Sequence, residues 1–241
     1  MKMSEELTFG IYIPSYRRAE LCCAHKLLEY GTYVVRKSEE AAYRARDLSP
    51  CTVWGVDDAL IGGLTEVNQW LVENAPEDII CILDDDIRHF YYRLDQTEDI
   101  LDPETCTMEL ERFAQLMVDL DVGFGCVDST AAIWNYDGAF AFKGTAGSTR
   151  WVYPKKFKAR CEKELEHNYD LDVVLQELVY NRIILKPRYF CSKGSTDTLA
   201  GGASGKLRED QVATINLMKQ KWGKYFDYDF KHNKPTIRVE R

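Results

Sequence analysis

Five apolar residues, Ile79-Ile80-Cys81-Ile82-Leu83, run directly into three aspartates, Asp84-Asp85-Asp86. A run this short has the length of a strand buried on both faces, as in the interior of a parallel sheet. Such sheets bind ligands in the crevice outside the carboxyl ends of their strands, which is where the triplet would lie. Adjacent carboxylates repel one another, so a site that keeps all three ionised needs a compensating cation. Hard oxygen donors suit Mg²⁺ or Mn²⁺, and these metals commonly bring a diphosphate with them. The competing reading of the triplet is an acidic turn in water.

The residues before the triplet alternate between two periods. Strands are expected at Thr8–Ile13, ended by Pro14, then at Thr32–Arg36 and Cys51–Trp54, with the apolar run as the fourth. Helical spacing links them over 18–30, from Ser38 as N-cap onward, and from Gly62-Gly63 to Ala75. Strand–helix alternation with connections of this length is the pattern of a parallel sheet with crossover helices. The second half is mixed. Strands are expected at His89–Arg93, Gly123–Val127, Ala139–Phe142, Arg182–Leu185 and Thr236–Val239, and helices at Met108–Leu120, Leu171–Tyr180 and Leu207–Trp222. Residues 144–148 read as a polar loop and 192–206 as a mobile one rich in Gly, Ser and Thr.

The length of 241 residues allows a sizeable core, and 45% hydrophobic with 29% charged residues is ordinary for a globular chain. No apolar stretch approaches the ~20 residues of a membrane span, and the first residues lack a signal-peptide core. The eight cysteines are scattered without a CxxC pair. They read as thiols of a reducing cytoplasm rather than a disulfide or zinc framework. Charge is divided unevenly. Residues 1–149 hold 12 Lys and Arg against 27 Asp and Glu, and residues 150–241 hold 19 against 12. Such asymmetry suggests a polyanionic partner, or a basic face that lies in water.

Pro14-Ser15-Tyr16-Arg17-Arg18 follows the first strand. A turn entering a helix there would offer backbone N–H groups to an anion, with Arg17 or Arg18 adding charge-assisted bonds. The turn lacks the glycines of a dinucleotide or P-loop site, which disfavours NAD and Walker-type ATP binding. In the basic half, Arg150, Lys155, Lys156, Lys158 and Arg160 cluster around Trp151, Tyr153 and Phe157, while Lys206 and Arg208 follow the Gly-rich loop. Cations interleaved with aromatics suit phosphate contacts and base stacking.

Ile13 to Arg18, Tyr33-Val34-Val35, Glu39 to Tyr43, Gly63 to Trp70 and Ile82 to Ile87 follow one another in an order and spacing that resembles the GT-A glycosyltransferases. More narrowly, the pattern resembles the TET-associated glycosyltransferases, many of them phage-encoded. The resemblance implies an α/β, GT-A-type Rossmann-like fold, with a central mostly parallel sheet flanked by helices. It implies one domain over 1–241, with a nucleotide-sugar-binding half (1–90) and an acceptor-binding half (91–241). The implied reaction is metal-dependent sugar transfer from a UDP-sugar to a hydroxymethylated pyrimidine in DNA, hydroxymethylcytosine or hydroxymethyluracil, in the cytoplasm, that of the host cell if the chain is phage-encoded.

By position, Asp84 and Asp86 match the ends of the family's DXD motif. Asp86 would bind Mn²⁺ or Mg²⁺, and Asp84 would touch the metal or the ribose. Pro14, Ser15, Tyr16, Arg17 and Arg18 would line the nucleotide pocket. Tyr169-Asp170-Leu171-Asp172-Val173 stands where the family has Glu-Asp-x-Asp-Leu, so Asp170 would be the general base of an inverting transfer or the acceptor clamp of a retaining one. Arg150, Lys155, Lys156, Lys206 and Arg208 would hold DNA, whose target base must be flipped out or single-stranded. Rival readings are a glycosyltransferase with a protein, lipid or small-molecule acceptor, a nucleotidyltransferase, and a non-catalytic nucleic-acid-binding module.

Overall fold

The structure is a computed structural model that describes residues 7–93, 96–128, 138–194, 208–232 and 234–239, the side chain of Arg208 excepted. Its elements, in chain order, are β1 (Phe9–Pro14), β2 (Thr32–Arg36), α1 (Glu40–Arg44), β3 (Thr52–Val56), α2 (Leu64–Asn74), β4 (Ile79–Leu83), β5 (Ile87–Arg93) and β6 (Thr97–Ile100). Then follow α3 (Pro103–Asp119), β7 (Phe124–Cys126), β8 (Phe140–Ala141), β9 (Thr149–Val152) and α4 (Tyr169–Tyr180). The chain continues through β10 (Lys186–Pro187), β11 (Phe190–Gly194), α5 (Arg208–Trp222), β12 (Phe226–Asp229) and β13 (Lys234–Ile237).

The central sheet has the order β3-β2-β1-β4-β9-β7. Strands β1 to β4 pair in parallel, and β9 runs antiparallel between β4 and β7. The fold is α/β, with a mixed, mostly parallel sheet flanked by helices. The chain builds outward from β1 to β3 and then returns to place β4 on the other side of β1. The carboxyl ends of β1 and β4 therefore flank a topological switch point, where open α/β sheets bind their ligands.

Strand β4 shows why the apolar run is continuous. Side chains alternate faces along a strand. Ile79, Cys81 and Leu83 enter one core with Leu110, Phe113 and Met117 of α3, whereas Ile80 and Ile82 enter another with Leu71 of α2 and Val173 of α4. Both faces are covered, so neither tolerates a polar residue. Helix α3 opens as its sequence dictates, with Asp102 accepting from the Thr105 amide at 2.9 Å and Pro103 in the first turn.

Four local expectations are corrected. Residues 18–30 form no α-helix, only a 3-10 turn at Ala24–Leu27. The carbonyl of Asp85 accepts from the amides of Cys23 (2.9 Å) and Ala24 (3.3 Å), which ties this segment to the triplet. Ser38 does not cap α1: Glu39 stands there, and the Ser38 amide and hydroxyl donate to Asp58 at 3.0 and 2.5 Å. The strand expected at Arg182–Leu185 is displaced to β10, although Leu185 still exchanges backbone bonds with β7. The last strand begins earlier than expected, at Lys234.

A second, antiparallel sheet of order β11-β5-β6 leads away from the triplet and returns to it. Helix α5 and the β12–β13 hairpin pack on α4. Buried Asp172 of α4 holds this unit, accepting from Trp222 Nε1 (2.7 Å), Lys221 Nζ (2.8 Å) and Gln176 Nε2 (2.6 Å). All eight cysteines are free thiols, most of them buried. Among the described residues no helix is long and apolar enough to cross a membrane.

Candidate active site

Strand β1 ends at Pro14, and the turn beyond it meets the triplet through Asp85. The Ser15 hydroxyl donates to Asp85 Oδ2, and Arg18 Nη1 donates to Asp85 Oδ1 at 3.0 Å. The same Arg18 nitrogen lies 3.5 Å from Asp86. Tyr43 of α1 completes the clasp: its hydroxyl lies 2.7 Å from Ser15 Oγ and accepts from the Arg18 amide at 3.1 Å. Burial raises the Asp85 carboxyl above its usual range, against the pull of Ser15 and Arg18. Asp85, to which the motif assigns no ligand, is thus the internal brace that positions Asp84 and Asp86. Replacing Tyr43 by Phe removes one bond to Ser15 and one to Arg18. The expected cost is about 1–3 kcal/mol of unfolding free energy, read by chemical denaturation.

Asp84 is the most exposed of the three, and Arg150 Nη2 donates to its Oδ1 at 2.7 Å. Arg150 comes from β9, whose first residue pairs with Leu83 across the sheet. Its guanidinium lies 5.5 Å from the Tyr169 ring centroid, and the next residue is the half-buried Asp170 in the first turn of α4. Burial pushes the Asp170 carboxyl up to about 6, with Asp84 adding and Arg150 opposing. Asp86 is also pushed up to about 6, by burial and then by the charges of Asp84 and Asp85. The site thus joins two carboxylates at the switch point to a third, raised into the range of a general base working near neutral pH.

Gly194, the last residue of β11, sets the position of Asp86. A Cβ built on it would lie 2.9 Å from Asp86 Oδ1. A side chain there displaces the carboxylate, so Gly194→Ala is expected to weaken binding at the triplet. Changing a group that orients a metal-binding carboxylate typically costs about 10–100-fold in metal affinity, and titration of a divalent cation into wild type and variant measures it.

The other sequence-derived residues divide. Tyr16 lies under Arg36 (4.1 Å from ring centroid to guanidinium carbon) and Arg17 (4.9 Å), beside the turn. Arg17 has a left-handed backbone (φ 54°), and its amide donates to Glu39 at 2.8 Å. Strained single residues of this kind gather at functional sites. Arg150 is no surface cation: it is 7% exposed and paired within the site. Lys155 and Lys156 lie at the far end of the sheet. Because β9 is antiparallel to β4, the chain leaving it reaches the start of β4, where Lys155 pairs with Asp78 (2.5 Å) and Lys156 with Asp121 (2.6 Å). These two lysines are thus separated from the triplet and already neutralised by carboxylates. Lys206 and most of the Gly-rich segment (195–207) lie outside the described residues, as does the side chain of Arg208. Two histidines stand outside this set: His232 pairs with Asp229 (2.6 Å) and His89 with Asp99 (3.1 Å).

Among the described residues, no group of three or more His, Cys, Asp and Glu is arranged to hold a metal ion. The donor set at the triplet is two carboxylates, Asp84 and Asp86, braced by a third. Mg²⁺-type ions are commonly held by one or two carboxylates together with substrate phosphates. The pair therefore fits a divalent cation that arrives with a diphosphate, and not a metal caged by protein alone. The raised Asp86 carboxyl is consistent with this, since a cation beside it would favour its ionised form.

No family model matches the sequence, and neither does any curated protein. Solved structures do match the fold. A mycobacterial protein aligns with a TM-score of 0.54 at 9% identity, covering 96% of this chain and 84% of that one. Glucosyl-3-phosphoglycerate synthase from Mycobacterium tuberculosis, in complex with Mn²⁺, UDP-glucose and phosphoglyceric acid, aligns with a TM-score of 0.51 at 8% identity, covering 98% and 89%. TarS of S. aureus, solved in complex with UDP, aligns at 0.49 and 12% identity, covering 94% and 68%. The chain has a GT-A-type fold.

Proposed function

We propose that the protein is a metal-dependent glycosyltransferase that uses a UDP-sugar donor. The observation that carries this reading is the placement of Asp84 and Asp86 at the β1–β4 switch point, braced through Asp85 to the Arg18 turn. A similar fold holds Mn²⁺ and UDP-glucose in the synthase, which supports the donor class. Asp86, with Asp84 beside it, is the pair that would hold Mn²⁺ or Mg²⁺, and the cation would offset charge on the departing diphosphate. The residues of the chain do the rest. Pro14, Ser15 and Tyr16 line the nucleotide side, and Arg17 and Arg18 face the phosphates. Asp170 accepts the proton of the acceptor hydroxyl as its oxygen bonds to the sugar anomeric carbon. The bond from that carbon to the diphosphate breaks, and UDP leaves.

The acceptor we assign is a hydroxymethylated pyrimidine in DNA. Support comes from a motif order that resembles the TET-associated glycosyltransferases and from the basic excess of residues 150–241, with Lys206 and Arg208 as its remaining candidates. The donor half is 1–90 and the acceptor half 91–241. A second acceptor class, a protein, lipid or small molecule, is favoured by the pairing of Lys155 and Lys156 far from the triplet. Nucleoside mass spectrometry after incubating hydroxymethylated DNA with the protein, Mn²⁺ and a panel of UDP-sugars separates the two. The DNA reading expects a sugar-sized mass gain on one base. Donor turnover on other acceptors, with no gain on hydroxymethylcytosine or hydroxymethyluracil, moves the assignment to the second class.

A further inference from the structure

Asp84 and Asp86 belong to different sheets. Asp84 follows β4 of the central sheet, whereas Asp86 stands directly before β5 of the β11-β5-β6 sheet. The chain links them through Asp85 alone, and the direction each carboxylate takes depends on how the two sheets meet. Polar contacts cross that junction. Asp128, beyond β7, bridges to Cys191 of β11 and accepts from Arg93 of β5 at 2.9 Å. Nearer the triplet, Thr149 Oγ1 donates to Ser192 Oγ of β11 at 2.9 Å, and Ser148 Oγ lies 3.0 Å from the same Ser192 oxygen.

All three residues lead to the carboxylates. The Ser148 carbonyl accepts from the Asp84 amide at 3.0 Å. Thr149 pairs with Leu83 and precedes Arg150, whose guanidinium donates to Asp84. On the other side, Ser192 stands two residues before Gly194, where a Cβ would lie 2.9 Å from Asp86 Oδ1. The pairing of β11 with β5 shifts register between Lys193 and Gly194, an irregularity of the kind that re-aims strands beside active sites. One oxygen, Ser192 Oγ, thus joins the segment that holds Asp84 to the strand that abuts Asp86.

Ser192 is 1% and Thr149 0% exposed. Hydroxyls buried this deeply are desolvated and must be bonded, whereas an apolar residue would fill the same place without that requirement. Their bonds supply what apolar contact lacks, a preferred distance of about 2.7–2.8 Å and a preferred angle. We infer that Ser192 is a positioning residue of the cation site, its hydroxyl fixing Asp84 relative to Asp86. The inference rests on the reading of that pair as a site for Mn²⁺ or Mg²⁺. Ser192 acts through Ser148 and Thr149 on one side and through Gly194 on the other.

The test titrates Mn²⁺, in the presence of UDP, into wild type, Ser192→Ala, Ser148→Ala and Tyr12→Phe. Electron paramagnetic resonance distinguishes bound from free ion, and the Tm of each metal-free protein is measured alongside. Tyr12→Phe is the control: it removes a buried hydroxyl that donates to Glu77 at 2.6 Å, at the opposite end of β4 from the triplet. Ser192→Ala is expected to raise the Mn²⁺ dissociation constant by about tenfold, at the lower end of what loss of a group orienting a metal ligand does. Ser148→Ala, which leaves the Thr149–Ser192 bond in place, is expected to raise it less, and Tyr12→Phe to leave it unchanged whatever its Tm. An unchanged constant in Ser192→Ala overturns the inference, as does an equal rise in Tyr12→Phe, which would assign the effect to general loss of stability. Where Ser192→Ala does not fold, Ser148→Ala decides, and an unchanged constant there overturns the inference. Failure of wild type to bind Mn²⁺ overturns the cation reading itself.

Discussion

Replacing Asp86 by alanine is expected to lower sugar transfer by about 10³-fold or more, equivalent to about 4 kcal/mol of transition-state stabilisation. Asp86 is the less exposed of the two outer carboxylates, lies 3.5 Å from Arg18 and abuts Gly194. Its geometry is thus set from two sides. The loss is not expected to come from unfolding. The folded carboxyl is pushed up to about 6 from an ordinary 3.8. Between those values the native state binds more protons than the unfolded one, so this group lowers stability as pH rises through that window. Its removal should leave the Tm at neutral pH unchanged or higher. A Tm that falls by many degrees would assign Asp86 to structure, and full activity in the variant would refute its role.

Asp170→Asn is the second large effect. General-base catalysis contributes typically about 10²–10⁴-fold, and a loss of that size in kcat is expected with UDP affinity retained. The pH dependence separates a base from a structural group. Wild-type kcat should rise as pH passes through about 6 and then level off, because Asp170 must be ionised to accept a proton. The Asn variant should lose this limb. Stability runs the other way. With its folded value raised above 3.8, Asp170 costs stability progressively as pH rises from about 4 to about 6. Asp170→Asn should therefore be more stable than wild type above pH 6 and equal to it below pH 4. An unchanged pH–rate limb in the variant would remove Asp170 from proton transfer.

The β1–β4 side of the site was legible in the sequence because local signals and fold agree there. The run 79–83 is apolar throughout since both faces of β4 are covered, and its end delivers the triplet to the switch point. What was illegible depends on partners remote in sequence. Asp85 reads as one of three equal carboxylates, and only its 70-residue-distant bond to Ser15 makes it the brace. Arg150 reads as the first of a basic cluster. Strand alternation turns it inward toward Asp84 and Tyr169, while the reversal of β9 carries Lys155 and Lys156 to the opposite end. A signal was available, since Arg150 and Val152 flank the buried Trp151 with strand period and so share the opposite face. The segment 18–30 has helical spacing, but Asp85 takes its amides and leaves a single 3-10 turn. Tyr43 ends one of the segments that carry the resemblance but has no role assigned to it there; its role appears once α1 is folded against the turn.

The central claim is that Asp84 and Asp86 form a site for a divalent cation and a nucleoside diphosphate. Isothermal titration of UDP into the protein tests it, with Mn²⁺ and with EDTA, for wild type and Asp86→Ala. Binding that requires Mn²⁺ and is lost in Asp86→Ala is the expected result. UDP binding that is equally tight in EDTA, or no binding with Mn²⁺ present, would contradict it.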